Sequence, residues 1–111
     1  MPVNLAFSTK ALRSICESQL KAERAIGMEA AKHLRARLAD IRTVGNVLEL
    51  IAGRPREVLR GRHAYYAVDL AEGYRMLLCA NHNEVPKLRT GGVDWSRVSR
   101  VKIHKIEVGN G

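Results

Sequence analysis

The stretch LRGRHAYYAVDLAEGYRM, from Leu59 to Met76, predicts a β-hairpin near the middle of this chain. Apolar and polar residues alternate on both sides of residues 71–73, and such alternation is typical of half-buried strands. The segment Ala71-Glu72-Gly73 suits a three-residue hairpin loop with glycine in the left-handed conformation. Basic side chains lie near both ends of the hairpin: Arg60, Arg62, His63 and Arg75. These side chains are either ordinary solvated charges or part of a surface that binds an anion.

The residues before the hairpin predict one short strand and two helices. Asn4–Phe7 alternates as a strand does, and Ser8 or Thr9 can cap the helix that follows. The first inward stripe stops at Gly27 and consists of Leu12, Ile15, Gln19, Ala22 and Ile26. The second stops at Gly45-Asn46 and consists of Ala31, Leu34, Leu38 and Ile41. Two adjacent helices joined at Gly27 predict an antiparallel helical hairpin.

The residues after the hairpin predict an ordered loop and a last strand. Residues 81–97, NHNEVPKLRTGGVDWSR, are rich in turn-forming residues. The segment VSRVKIHKIEV alternates, but one of its faces changes from polar to apolar partway along: Val98, Arg100, Lys102, His104, Ile106 and Val108. A β-bulge would explain that change. The whole chain, residues 1–111, therefore predicts a single α+β domain in which two N-terminal helices pack on one face of a small, largely antiparallel sheet.

Charge is the unusual property of this composition. The chain has 19 Lys and Arg against 11 Asp and Glu, for a net charge of +8. A small, folded, strongly basic domain most often binds nucleic acid, and less often an anionic membrane surface or an acidic protein. The two cysteines, Cys16 and Cys79, form no disulfide framework and fit no zinc spacing. With no signal peptide and no membrane-spanning run visible, we expect a cytoplasmic protein that binds no membrane.

A few residues of the basic half can carry chemistry. Arg75 shares a strand face with apolar neighbours, so it needs an anionic partner, either Asp69 across the hairpin or a bound phosphate. His104 lies between Lys102 and Lys105, which would lower its pKa and favour a neutral imidazole that acts as a base. His63 is a weaker acid–base candidate. Tyr65 has the opposite parity from the core tyrosines and can stack on a nucleobase.

Two segments, VLRGRHAYYAVDLAEGYRMLLCA and VPKLRTGGVDWSRVSRVKIHKIEV, resemble type II toxin–antitoxin toxins of the RelE/ParE superfamily. The resemblance is closest to the HigB-like "plasmid maintenance killer" branch. It rests on the order and spacing of a Leu-Arg-Gly turn, a YAVDL strand, a YR strand, a Gly-Gly-x-Asp-Trp loop and a basic-apolar last strand. This resemblance implies a β-α-α-β-β-β fold and a metal-independent endoribonuclease that inhibits translation by cleaving mRNA on the ribosome.

In such a reaction the RNA 2′-hydroxyl attacks the neighbouring phosphate, which requires a base, a charge stabiliser and a leaving-group acid. The resemblance implies that Arg75 stabilises the transition state, and we add His63 and His104 as the acid–base candidates. The expected RNA-binding residues are Arg60, Arg62, Tyr65, Lys102 and Lys105. We expect no cofactor. The implied partners are mRNA, the ribosome and a helix-turn-helix antitoxin, with operator DNA bound by the toxin–antitoxin complex.

The chain departs from the toxin pattern at its end. Relatives finish the last strand with Asp-Tyr-His, whereas this chain has Gly109-Asn110-Gly111. The alternative is therefore a non-catalytic protein with the toxin fold, either a ParE-like gyrase inhibitor or an antitoxin-binding co-repressor.

Overall fold

The computed structural model describes residues 2–109 and confirms the α+β class. Two single-turn 3₁₀ segments, Val47–Glu49 and Trp95–Arg97, accompany the main elements. Those elements are β1 (Asn4–Phe7), α1 (Lys10–Glu17), α2 (Gln19–Ile26), α3 (Met28–Ile41), β2 (Arg56–Arg60), β3 (His63–Asp69), β4 (Tyr74–Ala80) and β5 (Arg100–Val108). Among residues 2–109, no helix is both long enough and apolar enough to cross a bilayer.

The first predicted helix is divided in two at Ser18. Thr9 caps α1 by accepting a hydrogen bond from the Leu12 amide at 3.0 Å. Ser18 has extended backbone angles, φ −127° and ψ 115°, and its hydroxyl caps α2 by accepting from the Lys21 amide. The prediction of one helix up to Gly27 was therefore wrong, because a serine hydroxyl competes for backbone amides and starts a new helix. The break also leaves Gln19 exposed, although the inward stripe included it.

The second predicted helix, α3, buries its apolar stripe as expected, with Leu34, Leu38 and Ile41 at most 2% exposed. It follows α2 directly through Gly27, whose φ of +87° turns the chain between the two helices. The helix ends at Ile41 and not at Gly45-Asn46, because the Asp40 carbonyl accepts hydrogen bonds from both the backbone N–H and the hydroxyl of Thr43.

The five strands form one sheet in the order β1-β5-β4-β3-β2. β1 pairs with β5 in parallel and the other three pairs are antiparallel, as a largely antiparallel sheet requires. The quoted hairpin is confirmed as β3 and β4. Its loop holds Glu72 at φ 60° and Gly73 at φ 77°, both in the left-handed region.

The predicted bulge is present in β5. Leu77 lies opposite Lys105 and Leu78 lies opposite Ile103, so His104 is the extra residue. The bulge reverses the alternation, and for that reason Ile103 and Ile106 both pack towards the helices. The residues on the opposite side of β5 are Lys102, His104, Lys105 and Glu107.

The hydrophobic core lies between the helices and one face of the sheet, and one cluster contains the stripe of α3 together with Val68, Met76, Leu78 and Ile103. We call the other side the open face. Ala67 and Leu77 lie on that face and outside the core, yet both are 0% exposed. Polar side chains of the same face must therefore cover them.

The loop between β4 and β5 is ordered, as predicted. The indole N–H of Trp95 donates to the Glu57 carboxylate at 2.7 Å, and its ring packs against Tyr66 at 5.2 Å. His82 accepts hydrogen bonds from the amides of Ser99 and Arg100, so its imidazole fixes the start of β5. These contacts hold residues 81–99 against one end of the sheet.

Candidate nucleic-acid interface

A cleft of about 490 Å³ opens where β3 and β4 separate. The two strands are paired only as far as Tyr66 opposite Leu78, so the start of β3 and the end of β4 diverge. The loop from Val85 to Val93 closes the far side. The polar groups that line the cleft include Arg62, His63, Tyr65, Lys87, Lys102 and His104. We call this feature the cleft.

The centre of the cleft wall is a pair of stacked rings. Tyr65 and His104 have centroids 4.8 Å apart with an interplanar angle of 30°. The ring of His63 also lies near Tyr65, at 6.4 Å between centroids. The bulge at His104 is what places this imidazole beside Tyr65, since it shifts the register of β5 by one residue. Such flat rings at the edge of a cleft can stack on an unpaired base.

The pKa of His104 is lowered from its ordinary value. Partial burial of the imidazole is the largest cause, followed by the positive charges of Lys105, Lys102 and Arg60. The predicted direction is thus confirmed, although the sequence pointed only to the two lysines. At neutral pH the ring is neutral and one of its nitrogens can accept a proton.

The remaining cations of the cleft are available to a ligand. Among residues 2–109, no carboxylate forms a salt bridge with Arg62, Lys87 or Lys102. Arg62 belongs to the tight turn Gly61-Arg62 between β2 and β3 and is exposed, as is Lys87. Cations of this kind attract the phosphates of a nucleic acid.

A second group of cations lies next to the cleft on the open face and shares one carboxylate. Glu107 forms salt bridges with Arg60, with Arg75 at 2.8 Å and with Lys105 at 3.3 Å. We call these four residues the Glu107 cluster. Hydrogen bonds from Arg60, the largest cause, and from Arg75 and Lys105 lower the pKa of Glu107 from 4.5 to about 2.

Arg75 does not pair with Asp69, which corrects one of the two alternatives raised by the sequence. Asp69 lies directly opposite Arg75 in the hairpin, but its carboxylate accepts from Arg54 at 2.6 Å and from Arg56 at 3.1 Å. The anionic partner of Arg75 comes instead from β5, whose Glu107 lies opposite Arg75 on the other side of β4.

The structure therefore sorts the predicted site residues into two neighbouring groups. The cleft brings together Arg62, His63, Tyr65, Lys102 and His104. The Glu107 cluster takes Arg60, Arg75 and Lys105. Sequence reasoning missed Glu107 and Lys87. Glu107 is an acid at the end of a strongly basic strand, and that isolation was the available signal.

The end of β5 is shaped around Arg75. Gly109 donates a hydrogen bond to the Gly73 carbonyl at 2.8 Å, and a Cβ at Gly109 would overlap the Arg75 side chain. A larger residue at position 109 would have to displace the Arg75 side chain, so the observed position of Arg75 requires glycine there. Asn110 and Gly111 lie outside the described residues.

No protein-family model, no curated protein and no solved structure matches this chain. Within residues 2–109, no three His, Cys, Asp or Glu side chains form a group that could hold a metal ion.

Proposed function

We propose that the cleft binds single-stranded RNA and that the chain acts as a RelE/ParE-like toxin, an endoribonuclease that cleaves ribosome-associated mRNA. The observation that carries this proposal is the stacked pair Tyr65 and His104, bordered by cations that have no salt-bridge partner among residues 2–109. Stacking surfaces beside free cations are the combination that binds single strands, because every base offers a flat face and every nucleotide a charge.

The chemistry we propose uses the residues of the cleft. The neutral imidazole of His104 takes the proton of the RNA 2′-hydroxyl as that oxygen attacks the adjacent phosphorus. Lys102 and Arg62 offset the charge that develops on the phosphate oxygens. His63, exposed at the mouth of the cleft, gives a proton to the departing 5′-oxygen. In this assignment Lys102 and Arg62 of the cleft stabilise the phosphate charge, a role that the toxin resemblance gave to Arg75.

The pairing and burial of Arg75 favour a second candidate function, one without catalysis. Its side chain is 12% exposed, bound to Glu107 and seated against Gly109. If the toxin chemistry requires a free strand arginine, this chain is a non-catalytic toxin-fold protein, a gyrase inhibitor or an antitoxin-binding co-repressor. In either case we propose a cytoplasmic protein whose helix-turn-helix antitoxin covers the basic open face.

The proposal is tested by inducing the chain in bacterial cells while the translation rate and the 5′ ends of mRNA are followed. We expect translation to stop and new 5′ ends to appear, and we expect His104→Ala to abolish the new ends. Growth arrest with intact mRNA would contradict the nuclease and support the alternative.

Binding is tested separately with a purified single-stranded RNA oligomer. Stacking contributes about 1–3 kcal/mol per base, so Tyr65→Ala is expected to weaken binding by roughly 5- to 150-fold. Tyr65→Phe keeps the flat ring and is the matched control, which should bind nearly as the wild type does. Equal binding by all three proteins would rule out stacking on Tyr65.

A further inference from the structure

In the Glu107 cluster, several nitrogen atoms compete for the two oxygen atoms of one carboxylate. Arg60 contacts both oxygens of Glu107, with Nη1 to Oε1 at 3.0 Å and Nη2 to Oε2. Arg75 directs both Nε and Nη2 to Oε2, each at 2.8 Å. Lys105 Nζ lies 3.3 Å from Oε1. Three nitrogen atoms therefore crowd around Oε2, which offers only about two lone-pair positions.

The charges of the cluster do not balance either. Three side chains carry a positive charge and one carries a negative charge, so the group remains cationic with Glu107 in place. Guanidinium forks fit phosphate as well as they fit carboxylate, and a phosphate group offers more oxygen atoms to the same donors. The arrangement of donors therefore suits a phosphate better than the carboxylate that it surrounds.

The cluster is also accessible from one side and close to the cleft. Arg75 and Glu107 are 12% and 15% exposed, whereas Arg60 and Lys105 are 39% and 48% exposed. A ligand can thus approach over Arg60 and Lys105. The charges of Arg60, Lys105 and Glu107 all act on His104, which places the cluster within electrostatic reach of the ring stack.

We infer that Arg60, Arg75 and Lys105 form a phosphate-binding site which the carboxylate of Glu107 occupies in the free chain and which a phosphate of bound RNA takes over by displacing it. This inference rests on the proposed function in so far as it names RNA as the source of the phosphate. Glu107 then acts as an internal competitor that keeps binding weak until a polyanion reaches the cleft.

The inference is tested with Glu107→Gln, which keeps the size of the side chain and removes its charge. Glu17→Gln, in the exposed pair with Arg13 on α1, is the control because it changes the net charge equally at a distant place. The probes are a single-stranded RNA oligomer and inorganic pyrophosphate, with binding measured by calorimetry at fixed salt and folding checked by circular dichroism. We expect Glu107→Gln to bind RNA at least about tenfold more tightly, and Glu17→Gln to differ little from the wild type.

The two probes separate the possible sources of the phosphate. A gain with RNA alone supports a polymer phosphodiester, and a gain with both probes supports a general phosphate site. An equal gain in Glu107→Gln and Glu17→Gln, or no gain in either, would overturn the inference.

A second variant covers the case in which Glu107→Gln does not fold. Arg60→Gln removes an exposed member of the site and should weaken RNA binding about tenfold in an otherwise intact chain, and unchanged binding would overturn the inference. The outcomes also separate the two proposals. If the wild type binds RNA and Glu107→Gln binds it no more tightly, the inference is wrong and the proposed function stands. If the chain binds no RNA and Glu107→Gln binds only pyrophosphate more tightly, the proposed function is wrong and the phosphate site stands.

Discussion

The cleft and the Glu107 cluster lie side by side on the open face and contain similar numbers of cations, yet they differ in how those cations are used. In the cleft, no carboxylate of the described residues forms a salt bridge with Arg62, Lys87 or Lys102. The carboxylate of Glu57, which also lines the cleft, accepts instead from the indole of Trp95. In the cluster, one carboxylate forms salt bridges with three cations. Basic residues alone therefore do not identify a binding surface. The position of the few acids decides which cations are already paired in the free chain.

The cluster and the cleft should also differ in how much they affect the free energy of unfolding. A charge that is mostly removed from water is costly unless it is paired, so removal of one partner of the cluster should destabilise the sheet. The cations of the cleft stay hydrated and contribute little to stability, which leaves them free to contribute to binding. Substitutions in the cluster should accordingly lower the free energy of unfolding more than substitutions in the cleft do.

The largest effect is expected for Glu107→Ala. It leaves Arg60, Arg75 and Lys105 near one another with no carboxylate, and we expect the free energy of unfolding to fall by about 3 kcal/mol. Urea denaturation of the purified chain measures this loss. Tyr65→Ala in the cleft should lower stability by less than half as much. Equal losses for the two variants would remove the distinction between the cluster and the cleft.

A smaller effect is expected when acid protonates the same carboxylate. The folded-state pKa of Glu107 is about 2 and its ordinary value is 4.5, so its contribution is complete above pH 4.5 and disappears as the pH falls towards 2. After allowance for the partial exposure of its partners, we expect a loss of about 2 kcal/mol across that window. Hydrogen bonds from Ser96 and Arg97 also lower the pKa of Asp94, so protonation of Asp94 in acid destabilises the folded chain as well. The measurement is therefore the difference between wild type and Glu107→Gln, and parallel pH curves would show that Glu107 contributes nothing.

The smallest effect is expected for Lys102→Gln in the cleft. Loss of one phosphate contact should weaken RNA binding by less than about 1 kcal/mol and reduce the slope of log K against log salt by about 0.7. Lys32→Gln, on the exposed side of α3, is the control and should leave the slope unchanged. Fluorescence titrations at several salt concentrations provide both slopes. A slope unaffected by Lys102→Gln would mean that the cleft is not where RNA lies.

Much of the fold followed from local patterns. The alternation around Ala71-Glu72-Gly73 predicted the β3–β4 hairpin. The polarity change along the last strand was consistent with a β-bulge, and the structure places that bulge at His104. Both patterns report directly which side of the chain faces the core, and that is why they succeeded. The break at Ser18 was missed because both halves of the helix continue one inward stripe, and only the hydroxyl of that serine distinguishes a cap from a helical position.

The candidate site was only partly predictable for a different reason. Tyr65 and His104 were each identified from strand parity or neighbouring charge, but they are 39 positions apart in the sequence and only the sheet brings them together. Arg60 and Glu107 are likewise separated by 47 positions. Nothing in the sequence around either residue indicates the other.

The sequence by itself determined the class of the fold, the basic character of one half of the chain and the residue types that could bind an anion, because these depend on composition and on periodicities of two and 3.6 residues. Only the tertiary structure decided which cations have a counter-charge. Pairing between strands sets that, and a shift of one residue in β5 changes which side chains share a face. Arg75 is the plainest case. The sequence showed that it needs an anion, and the fold supplied Glu107 in place of Asp69.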